Sequence, residues 1–262
     1  MTSSETPTRR GGQRVPSVIR AGRILDALAS GPPTATLASL SRQLGYPRSS
    51  TLALCNSLVE AGLLLRDSDG AYRLGPHILE LSRAYLGQTD LQAEFSRVVA
   101  ESSPLPEQTL VCSVLRERDV IYVARRPGAN PLGVTYDIGL RLPAHCTASG
   151  LAMLSALDDA ELDRLYGAAE PLEQLTPRSI STLAELRERL AAVRERGYAV
   201  DDGETAPAMV CLGAAVRDDA GATVGAVAVS MPKGARSQPQ QESDARELRR
   251  FAELVSRGLG AP

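Results

Sequence analysis

The sequence predicts an α+β protein in two parts. An N-terminal winged helix-turn-helix domain is followed by a connector helix and a C-terminal α+β domain with a mostly antiparallel sheet. Three short segments with apolar residues at helical spacing precede the first hairpin signal, DSDG. Two more hairpin signals, RERD and DDAG, lie between apolar runs further along the chain. Strands joined by hairpins pair antiparallel, which argues against a doubly wound parallel sheet.

The composition is that of a globular protein, with 43% hydrophobic and 23% charged residues in a chain of 262. That length allows two medium-sized domains. Apolar runs such as GAVAVSM are far shorter than the roughly 18–20 residues that span a bilayer, so we expect no membrane partner. The N-terminal MTSSETPTRRGGQR lacks the apolar core of a secretory signal. Four widely spaced cysteines without a CxxC pair indicate reduced thiols and a cytoplasmic protein.

The N-terminal domain is predicted over residues 16–76, after a disordered tail at 1–15. A first helix begins with Ser17 as N-cap, a second runs from a cap at Thr36 to a stop at Gly45, and a third begins near Arg48. The first helix has one apolar face: Val18, Ala21, Ile24, Leu25 and Leu28. The third has a buried stripe: Thr51, Leu54, Cys55, Leu58 and Gly62. With the DSDG hairpin these helices form a winged helix-turn-helix, which places its recognition helix in the DNA major groove.

The charge distribution separates the two parts of the chain. Residues 1–75 hold nine arginines and five acidic residues, although the whole chain carries a net charge of −2. A basic module joined to an acidic one is typical of a protein in which only the first module binds DNA. A small helical domain without a nucleic-acid role remains the alternative at this point.

The C-terminal domain is predicted over residues 91–262, after the connector helix at 77–90. The helical pattern of residues 76–102 has a break near Gly87 and a new cap at Thr89 or Asp90. Short helices are predicted after His145 and near 158–166, and an amphipathic helix over 181–196 stops at Gly197. The hairpins around RERD and DDAG supply the strands of the sheet.

Several stretches, in register along the chain, resemble one family of bacterial transcription factors. VPSVIRAGRILDALAS, TLASLSRQLGYPRSST and LVEAGLLLRDSDGAYRLGPHILELSRAYL resemble the N-terminal domain of the IclR (isocitrate lyase regulator) family. RLPAHCTASGLAMLSAL, LTPRSISTLAELRERLAAVRERGYAVDDGE and MVCLGAAVRDDAGATVGAVAVSMP are similar to the sensor-like α+β effector-binding domain of that family. The resemblance covers residues 16–235 and implies a regulator whose DNA affinity responds to a small metabolite.

The candidate DNA-contacting residues lie on the third helix and the wing. Hydroxyls and a guanidinium at a helix N-terminus commonly meet phosphates and base edges, although simple capping is the other interpretation. The set is Arg48, Ser49, Ser50, Leu52, Ala53, Asn56, Arg66 and Arg73. Ala53 departs from the resemblance, which implies a long polar side chain there, and exposed Leu52 and Ala53 could contact thymine methyl groups.

The candidate effector site begins at the helix after His145, where small residues and free N–H groups suit an anion such as a carboxylate. Tight packing of that helix on the sheet is the alternative interpretation. Matching positions of the family imply this set of ligand-binding residues: Ala148, Ser149, Asp201, Met209, Cys211, Ala228 and Ser230. Asp201 would accept hydrogen bonds from a ligand hydroxyl or water. Leu151, Ala208 and Ala228 depart from the family pattern and indicate a less polar pocket.

Three other functions are weighed against regulation. His145, Ser149 and Asp201 could form a hydrolase triad, but no nucleophile elbow surrounds Ser149, and His145 fits a polar cap at the turn. His145 with Cys146, Cys211 and Cys112 lacks zinc spacing, and buried structural thiols are the simpler interpretation. A metabolite sensor without DNA binding is the third alternative.

The N-terminal RRGGQR could act as a minor-groove arm or be an idle tail.

The interpretation we adopt is a regulator without enzymatic activity, cofactor or metal, and repression is expected rather than activation. Its partners are double-stranded DNA with a palindromic operator, a small organic or aromatic acid as effector, and further copies of itself in a homodimer or tetramer. The connector around residues 76–90 is the element expected to move when the effector binds.

Overall fold

The computed structural model describes residues 15–88, 90–129 and 136–261, with only the backbone of residues 86–88. The chain divides into two compact units between Tyr85 and Leu86. Of the tail expected at residues 1–15, only Val15 belongs to the described residues. Thr89, one of the two caps expected for the helix after the break, also lies outside them; the preceding helix ends at Gln88 and the next begins at Asp90.

The N-terminal unit has the order of elements that a winged helix-turn-helix requires. Its elements are α1 (Pro16–Ser30), α2 (Leu37–Leu44), α3 (Arg48–Glu60), β1 (Leu64–Arg66), β2 (Tyr72–Leu74) and α4 (His77–Gln88). Strands β1 and β2 pair antiparallel, with Leu64 opposite Leu74. The three predicted helices and the DSDG hairpin are therefore present in the predicted order.

Local signals set the ends of the helices in this unit. The Thr36 side chain accepts a hydrogen bond of 3.2 Å from the Ser39 N–H and caps α2. Gly45 ends α2 in the left-handed region at φ 68°, which glycine adopts without strain. The N-cap expected at Ser17 is wrong, because α1 begins at Pro16, whose ring presets the helical φ of the first position.

Buried residues of α1, α2, α3 and both strands form one core in the N-terminal unit. Its fully buried members are Ile24, Leu40, Cys55, Leu64 and Tyr72. The expected stripes on α1 and α3 meet there, with two exceptions. Gly62, predicted on the stripe of α3, lies beyond that helix, which ends at Glu60. Val18 was predicted on the apolar face of α1, but its side chain is 67% exposed because it lies in the first turn, beyond this core.

The C-terminal unit is a six-stranded antiparallel sheet, counted over the described residues, with helices on both faces. Its strands are β3 (Thr109–Arg116), β4 (Asp119–Arg126), β5 (Arg141–Pro143), β6 (Ala199–Asp202), β7 (Met209–Arg217) and β8 (Thr223–Pro232), in the order β5-β4-β3-β8-β7-β6. The helices are α5 (Asp90–Ser102), α6 (Ala148–Leu154), α7 (Asp159–Tyr166), α8 (Leu183–Arg196) and α9 (Gln238–Gly258). Both predicted hairpins and all three helices predicted between them are confirmed.

The two faces of the sheet bury separate cores. On one face, α6, α7 and α8 pack around Leu151, Leu162 and Leu186. On the other face, α5 and α9 pack against the sheet, with the rings of Phe95 and Phe251 in edge-to-face contact at 5.6 Å. The long helix α9 was not among the sequence predictions.

Small residues allow α6 to lie directly on the sheet. Gly213 of β7 faces the first residue of α6, and a Cβ atom at this position would collide with the backbone of Ala148 and Ser149. Its neighbours across the sheet are Ala199 on β6 and Ala228 on β8. The backbone at the start of α6 is therefore held against the strands rather than separated from them by side chains.

We predict that Gly213→Ala lowers the free energy of unfolding by about 1–3 kcal/mol, the usual cost of overpacking, because α6 must move away from β7. Urea unfolding followed by far-ultraviolet circular dichroism measures the change. The control is Gly22→Ala in α1, where no other atom lies within 4 Å of the added methyl group. That variant should be more stable by about 0.5–1 kcal/mol. Equal stability of Gly213→Ala and the unmodified chain would contradict the close seating of α6.

Candidate functional site

The N-terminus of α3 is exposed and has no side-chain cap. Pro47 occupies the N-cap position and makes no capping hydrogen bond. Arg48 and Ser49 are exposed, Ser50 is half-buried, and the Thr51 hydroxyl turns inward to donate a 3.0 Å hydrogen bond to the Pro47 carbonyl. Uncapped N–H groups carry the positive end of the helix dipole, so this end suits a phosphate group.

The outward face of α3 carries the other predicted contacts of this helix. Leu52 is 36% exposed, and Ala53 and Asn56 are exposed as well. Cys55 and Leu58, on the opposite side, are buried in the core. The helix thus presents an amide and apolar groups to solvent, a combination that can contact base edges and thymine methyl groups.

The two wing arginines differ in their surroundings. Arg66 lies over the ring of Tyr72, with its guanidinium carbon 5.6 Å from the ring centroid. Arg73 donates from Nε to Asp67 Oδ1 at 2.9 Å. An exposed ion pair of this kind is weak, so it leaves the Arg73 side chain able to exchange Asp67 for another anion.

Two arginines of α1 join the N-terminus of α3 through Tyr46, a contact that sequence reasoning missed. The Arg20 guanidinium carbon lies 5.5 Å from the Tyr46 ring centroid, and Arg23 Nη1 donates to the Tyr46 hydroxyl at 3.3 Å. Tyr46 comes two residues before Arg48 in the chain. Neither Arg20 nor Arg23 forms an ion pair within the described part of the unit, so both charges are available to an external anion.

In the C-terminal unit, four polar residues line up across the sheet on the face that carries α6. The strand registers place Thr109 opposite Ser230, Ser230 opposite Cys211, and Cys211 opposite Asp201. The Ser230 hydroxyl donates to Cys211 Sγ at 3.3 Å. Because neighbouring residues of paired strands share a face, this polar row is continuous over four strands.

The N-terminus of α6 lies on the same face of the sheet. The Thr147 side chain accepts a 3.0 Å hydrogen bond from the Gly150 N–H and caps the helix. Ala148 and Ser149, the first two helical residues, are 2% and 1% exposed. The Ser149 hydroxyl finds no hydrogen-bond partner among the residues that the structure describes. An unpartnered buried hydroxyl is costly, which points to a missing ligand or water.

Asp201 is a buried carboxylate with one oxygen unsatisfied. Oδ1 accepts hydrogen bonds from the backbone N–H groups of Glu204, at 2.6 Å, and Thr205, at 3.3 Å. Oδ2 has no partner within the described residues. Desolvation raises the pKa of Asp201 above its ordinary value. Its free oxygen therefore suits a hydrogen-bond donor such as a hydroxyl group.

Two tyrosines complete the polar site, and neither was predicted. The rings of Tyr122 and Tyr136 meet edge to face at 5.5 Å, and the Tyr136 hydroxyl lies 3.7 Å from Cys211 Sγ. Burial raises the pKa of both hydroxyls above the ordinary value and that of the Cys211 thiol to about 12. These groups therefore keep their protons at neutral pH. No local sequence signal marks the pair, because Tyr122 lies on β4 and Tyr136 lies between β4 and β5.

The loop beyond Asp201 is tied to the start of α6 and to the segment before α8. Thr205 Oγ1 donates to the Cys146 carbonyl at 2.8 Å, and Thr176 Oγ1 donates to the Gly203 carbonyl at 2.8 Å. Ser179 Oγ donates to the Glu204 carbonyl at 2.7 Å. A shift of Asp201 would therefore displace both of these segments.

Comparison with known proteins gives the family. Residues 17–68 match the IclR helix-turn-helix domain, and residues 83–257 match the domain described as bacterial transcriptional regulator IclR C-terminal. The chain belongs to the IclR family. It is therefore a DNA-binding transcriptional regulator with an effector-binding domain.

Individual relatives cover nearly the whole chain. The HTH-type transcriptional repressor AllR of Salmonella paratyphi A is 25% identical over 258 residues, which cover 98% of this chain and 93% of AllR. The crystal structure of the repressor BlcR of Agobacterium tumefaciens is 37% identical, covers 95% of this chain and 98% of BlcR, and has a TM-score of 0.62. An IclR homologue of Microbacterium hydrocarbonoxydans, solved with 4-hydroxybenzoate, shares the fold at 21% identity and a TM-score of 0.73, covering 93% of this chain and 98% of that one.

In this IclR-family chain, the structure brings the seven expected effector-site residues to one face of the sheet. Ala148 and Ser149 lie at the start of α6, Asp201 lies on β6, and four lie on β7 and β8. Those four are Met209, Cys211, Ala228 and Ser230, and all seven are buried. Leu151, a departure from the family pattern, is fully buried in the core.

The expected cap at His145 is wrong. Thr147 caps α6, and the His145 ring donates from Nε2 to the Glu173 carbonyl at 2.8 Å. The Ser149 hydroxyl has no hydrogen-bond partner among the described residues, so no hydrogen bond joins it to His145. All four cysteines are buried and free of disulfides. The described residues contain no group of three side chains able to hold a metal ion, and no described helix is long and apolar enough to cross a membrane.

Glu204 makes the stability of the chain depend on pH. The carboxyl is 2% exposed, and burial raises its pKa from 4.5 to about 7, although an ion pair with Arg189 at 2.5 Å opposes the rise. Below pH 4.5 the group is protonated in both states, and above about pH 7 it is ionised in both. Between these values the unfolded chain binds fewer protons, so the free energy of unfolding falls as the pH rises.

We predict that Glu204→Gln removes this fall, which amounts to on the order of 3 kcal/mol between pH 4.5 and 7. Urea unfolding at a series of pH values measures the free energy. Glu185→Gln is the control of opposite sign, because hydrogen bonds from the N–H and hydroxyl groups of Ser181 and Thr182 lower the Glu185 pKa. Glu185→Gln should lower the free energy of unfolding at neutral pH rather than in acid, because the lowered pKa stabilises the fold only where Glu185 is ionised. If the free energy of unfolding of Glu204→Gln still falls with pH as it does in the unmodified chain, the raised pKa of Glu204 is not the cause of the fall.

Proposed function

We propose that this chain is a repressor that binds a palindromic operator in double-stranded DNA as a homodimer. In this proposal, a small organic or aromatic acid bound in the C-terminal unit changes the affinity for the operator. The DNA-binding domain spans residues 16–76, the connector helix 77–90 and the effector domain 91–262. The uncapped N-terminus of α3 beside Arg48 carries the DNA part of the proposal, and the unpartnered polar atoms beside α6 carry the effector part. Repression is favoured because AllR and BlcR are named repressors.

The DNA contacts divide into phosphate and base contacts. We assign phosphates to Arg48, Ser49 and Ser50 at the start of α3 and to the wing arginines, Arg66 and Arg73. Base contacts are assigned to Asn56 and, through thymine methyl groups, to Leu52 and Ala53. The few hydrogen-bonding groups on this face imply that DNA shape contributes much of the sequence preference.

Arg20 and Arg23 add a phosphate-binding pair next to α3. Tyr46 holds both side chains close to the helix N-terminus, and no carboxylate within the described residues neutralises them. With Arg48, three guanidinium groups are thus proposed to contact phosphates. Several cationic groups neutralise more of the DNA backbone than an isolated arginine does.

Apolar residues left exposed on the N-terminal unit favour a homodimer. Val15, just before α1, and Val18 and Ile19 on it are 48–67% exposed, and Leu79 on α4 is 73% exposed. Exposed apolar side chains at helical spacing favour burial against a partner. Two-fold pairing of these helices would place the recognition helices on half-sites one or two turns apart, roughly 34 Å per turn. A tetramer remains the alternative, which sedimentation equilibrium distinguishes.

The effector site is proposed to hold an acid at the N-terminus of α6. The N–H groups of Ala148 and Ser149 and the Ser149 hydroxyl would bind the carboxylate. Asp201, Cys211 and Ser230 would meet a hydroxyl group, and Met209 and Ala228 would contact the apolar part of the ligand. The homologue solved with 4-hydroxybenzoate supports a compact acid of this kind.

Regulation without catalysis is part of the proposal, as is a cytoplasmic location. The alternatives have direct tests. Ester hydrolysis that disappears in Ser149→Ala would favour a hydrolase. No retardation of the upstream DNA of the gene at low salt would favour a sensor that does not bind DNA.

We predict that Arg20→Ala, Arg23→Ala and Arg48→Ala each weaken operator binding and reduce the slope of log affinity against log salt by about 1, because each removes a phosphate contact. Fluorescence anisotropy of an operator duplex over a salt series measures the slope. Arg164→Ala on the exposed face of α7 is the control and should change neither quantity. An unchanged slope in all three variants would eliminate the proposed phosphate contacts.

We predict that at least one small carboxylic or aromatic acid raises the melting temperature, since a ligand at about 100 times its dissociation constant adds roughly 2.7 kcal/mol. Ser149→Ala should bind that acid about tenfold more weakly, because it loses one hydrogen bond. Ser155→Ala at the other end of α6 is the control, with binding unchanged. A flat thermal-shift screen across such acids would count against the pocket.

A further inference from the structure

A separate cavity of about 390 Å³ lies in the C-terminal unit and shares no residue with the effector site. The turn between β3 and β4 forms one wall, and the end of β5 forms another. The segment after α7 closes the remaining side, near Glu173. This volume falls within the usual range for a small-molecule site.

Two buried side chains that line this cavity have unsatisfied polar atoms. His145 is 3% exposed and Tyr166 is fully buried, and their rings meet edge to face at 5.7 Å. Neither His145 Nδ1 nor the Tyr166 hydroxyl has a hydrogen-bond partner within the described part of the chain. An unsatisfied buried polar group is costly, and neither atom has a role within the described fold.

The protonation states define what these two atoms can bind. His145 Nε2 donates to the Glu173 carbonyl at 2.8 Å, so in the neutral ring Nδ1 is an acceptor. Burial lowers the pKa of His145 and raises that of Tyr166, which keeps the ring neutral and the phenol protonated. A ligand hydroxyl suits either atom, because it can donate its proton to Nδ1 or accept a hydrogen bond from the Tyr166 hydroxyl.

The charged residues around the cavity disfavour an anionic ligand. Three carboxylates, of Glu117, Asp119 and Glu173, outnumber the guanidinium groups of Arg118 and Arg141. Arg141 is already paired with Asp119 at 2.6 Å. Arg118 is exposed and has no ion pair among the described residues, so it can donate to uncharged oxygens. Carboxylates and one free guanidinium together suit several neighbouring hydroxyl groups.

We propose that this cavity binds a small neutral polyhydroxylated molecule, a polyol or a monosaccharide, whose hydroxyl groups form hydrogen bonds with His145 Nδ1 and with the Tyr166 hydroxyl. The site is independent of the effector site in its residues and in its ligand chemistry. It adjoins the effector site along the chain, because His145 lies in the turn that leads into α6.

The test uses the full-length chain with sorbitol and D-glucose as probes, in isothermal titration calorimetry and saturation-transfer difference NMR. At least one probe should bind, and Tyr166→Phe and Arg118→Ala should each weaken it about tenfold, as expected for one lost hydrogen bond. Tyr166→Phe should not lower the melting temperature, because the hydroxyl has no partner in the fold. Tyr72→Phe removes another unpartnered buried hydroxyl, in the N-terminal unit, and should leave binding unchanged.

Absence of binding for both probes would overturn the proposal. An affinity for the probe that is the same in Tyr166→Phe and Arg118→Ala as in the unmodified chain would overturn it as well, since the probe would then bind elsewhere. Ser149→Ala separates this proposal from the effector site, because it should weaken the acid and leave the polyol affinity unchanged.

Discussion

The close contact between α6 and the sheet is the constraint on which the C-terminal site depends. Gly213 lacks the side chain that would hold the helix away from β7, and alanines flank it on both neighbouring strands. The first N–H groups of α6 are thereby brought to the face that carries Asp201 and Ser230. A larger residue beneath the helix would separate its positive end from the polar row. The position of the site therefore depends first on the packing of the backbone and only then on the chemistry of the side chains.

Burial then determines the electrostatics of this site. Desolvation keeps the phenols and the Cys211 thiol protonated and raises the pKa of Asp201 and Glu204. Neutral donors and a poorly solvated carboxylate favour a ligand that supplies complementary hydrogen bonds, since burial limits the contact of these groups with bulk water. The bonds that tie the loop after β6 to Cys146 and Thr176 connect any change at Asp201 to the surrounding segments. Ligand binding at Asp201 is in this way linked to rearrangement of the surrounding segments through the hydrogen bonds of Thr205 and Thr176.

Sequence reasoning predicted the features that local signals encode. Thr36 and Gly45 mark the ends of α2, and the DSDG, RERD and DDAG turns mark three hairpins. The resemblance to the IclR family supplied the effector-site residues, which spacing alone could not bring together from four separate elements. Helix α9 was missed although Ala245, Leu248, Ala252 and Val255 repeat at helical spacing after Ser237. The Tyr46 contacts and the Tyr122 and Tyr136 pair depend on tertiary packing, which no local pattern encodes.

The central claim is that one ligand in the C-terminal unit changes the affinity of the N-terminal unit for DNA. The most direct measurement is the operator affinity with and without a saturating effector acid, together with the affinity for that acid with and without saturating operator. Both ratios should differ from one, and they should be equal, because a coupling free energy is reciprocal. An acid that binds tightly yet leaves the operator affinity unchanged would contradict the account.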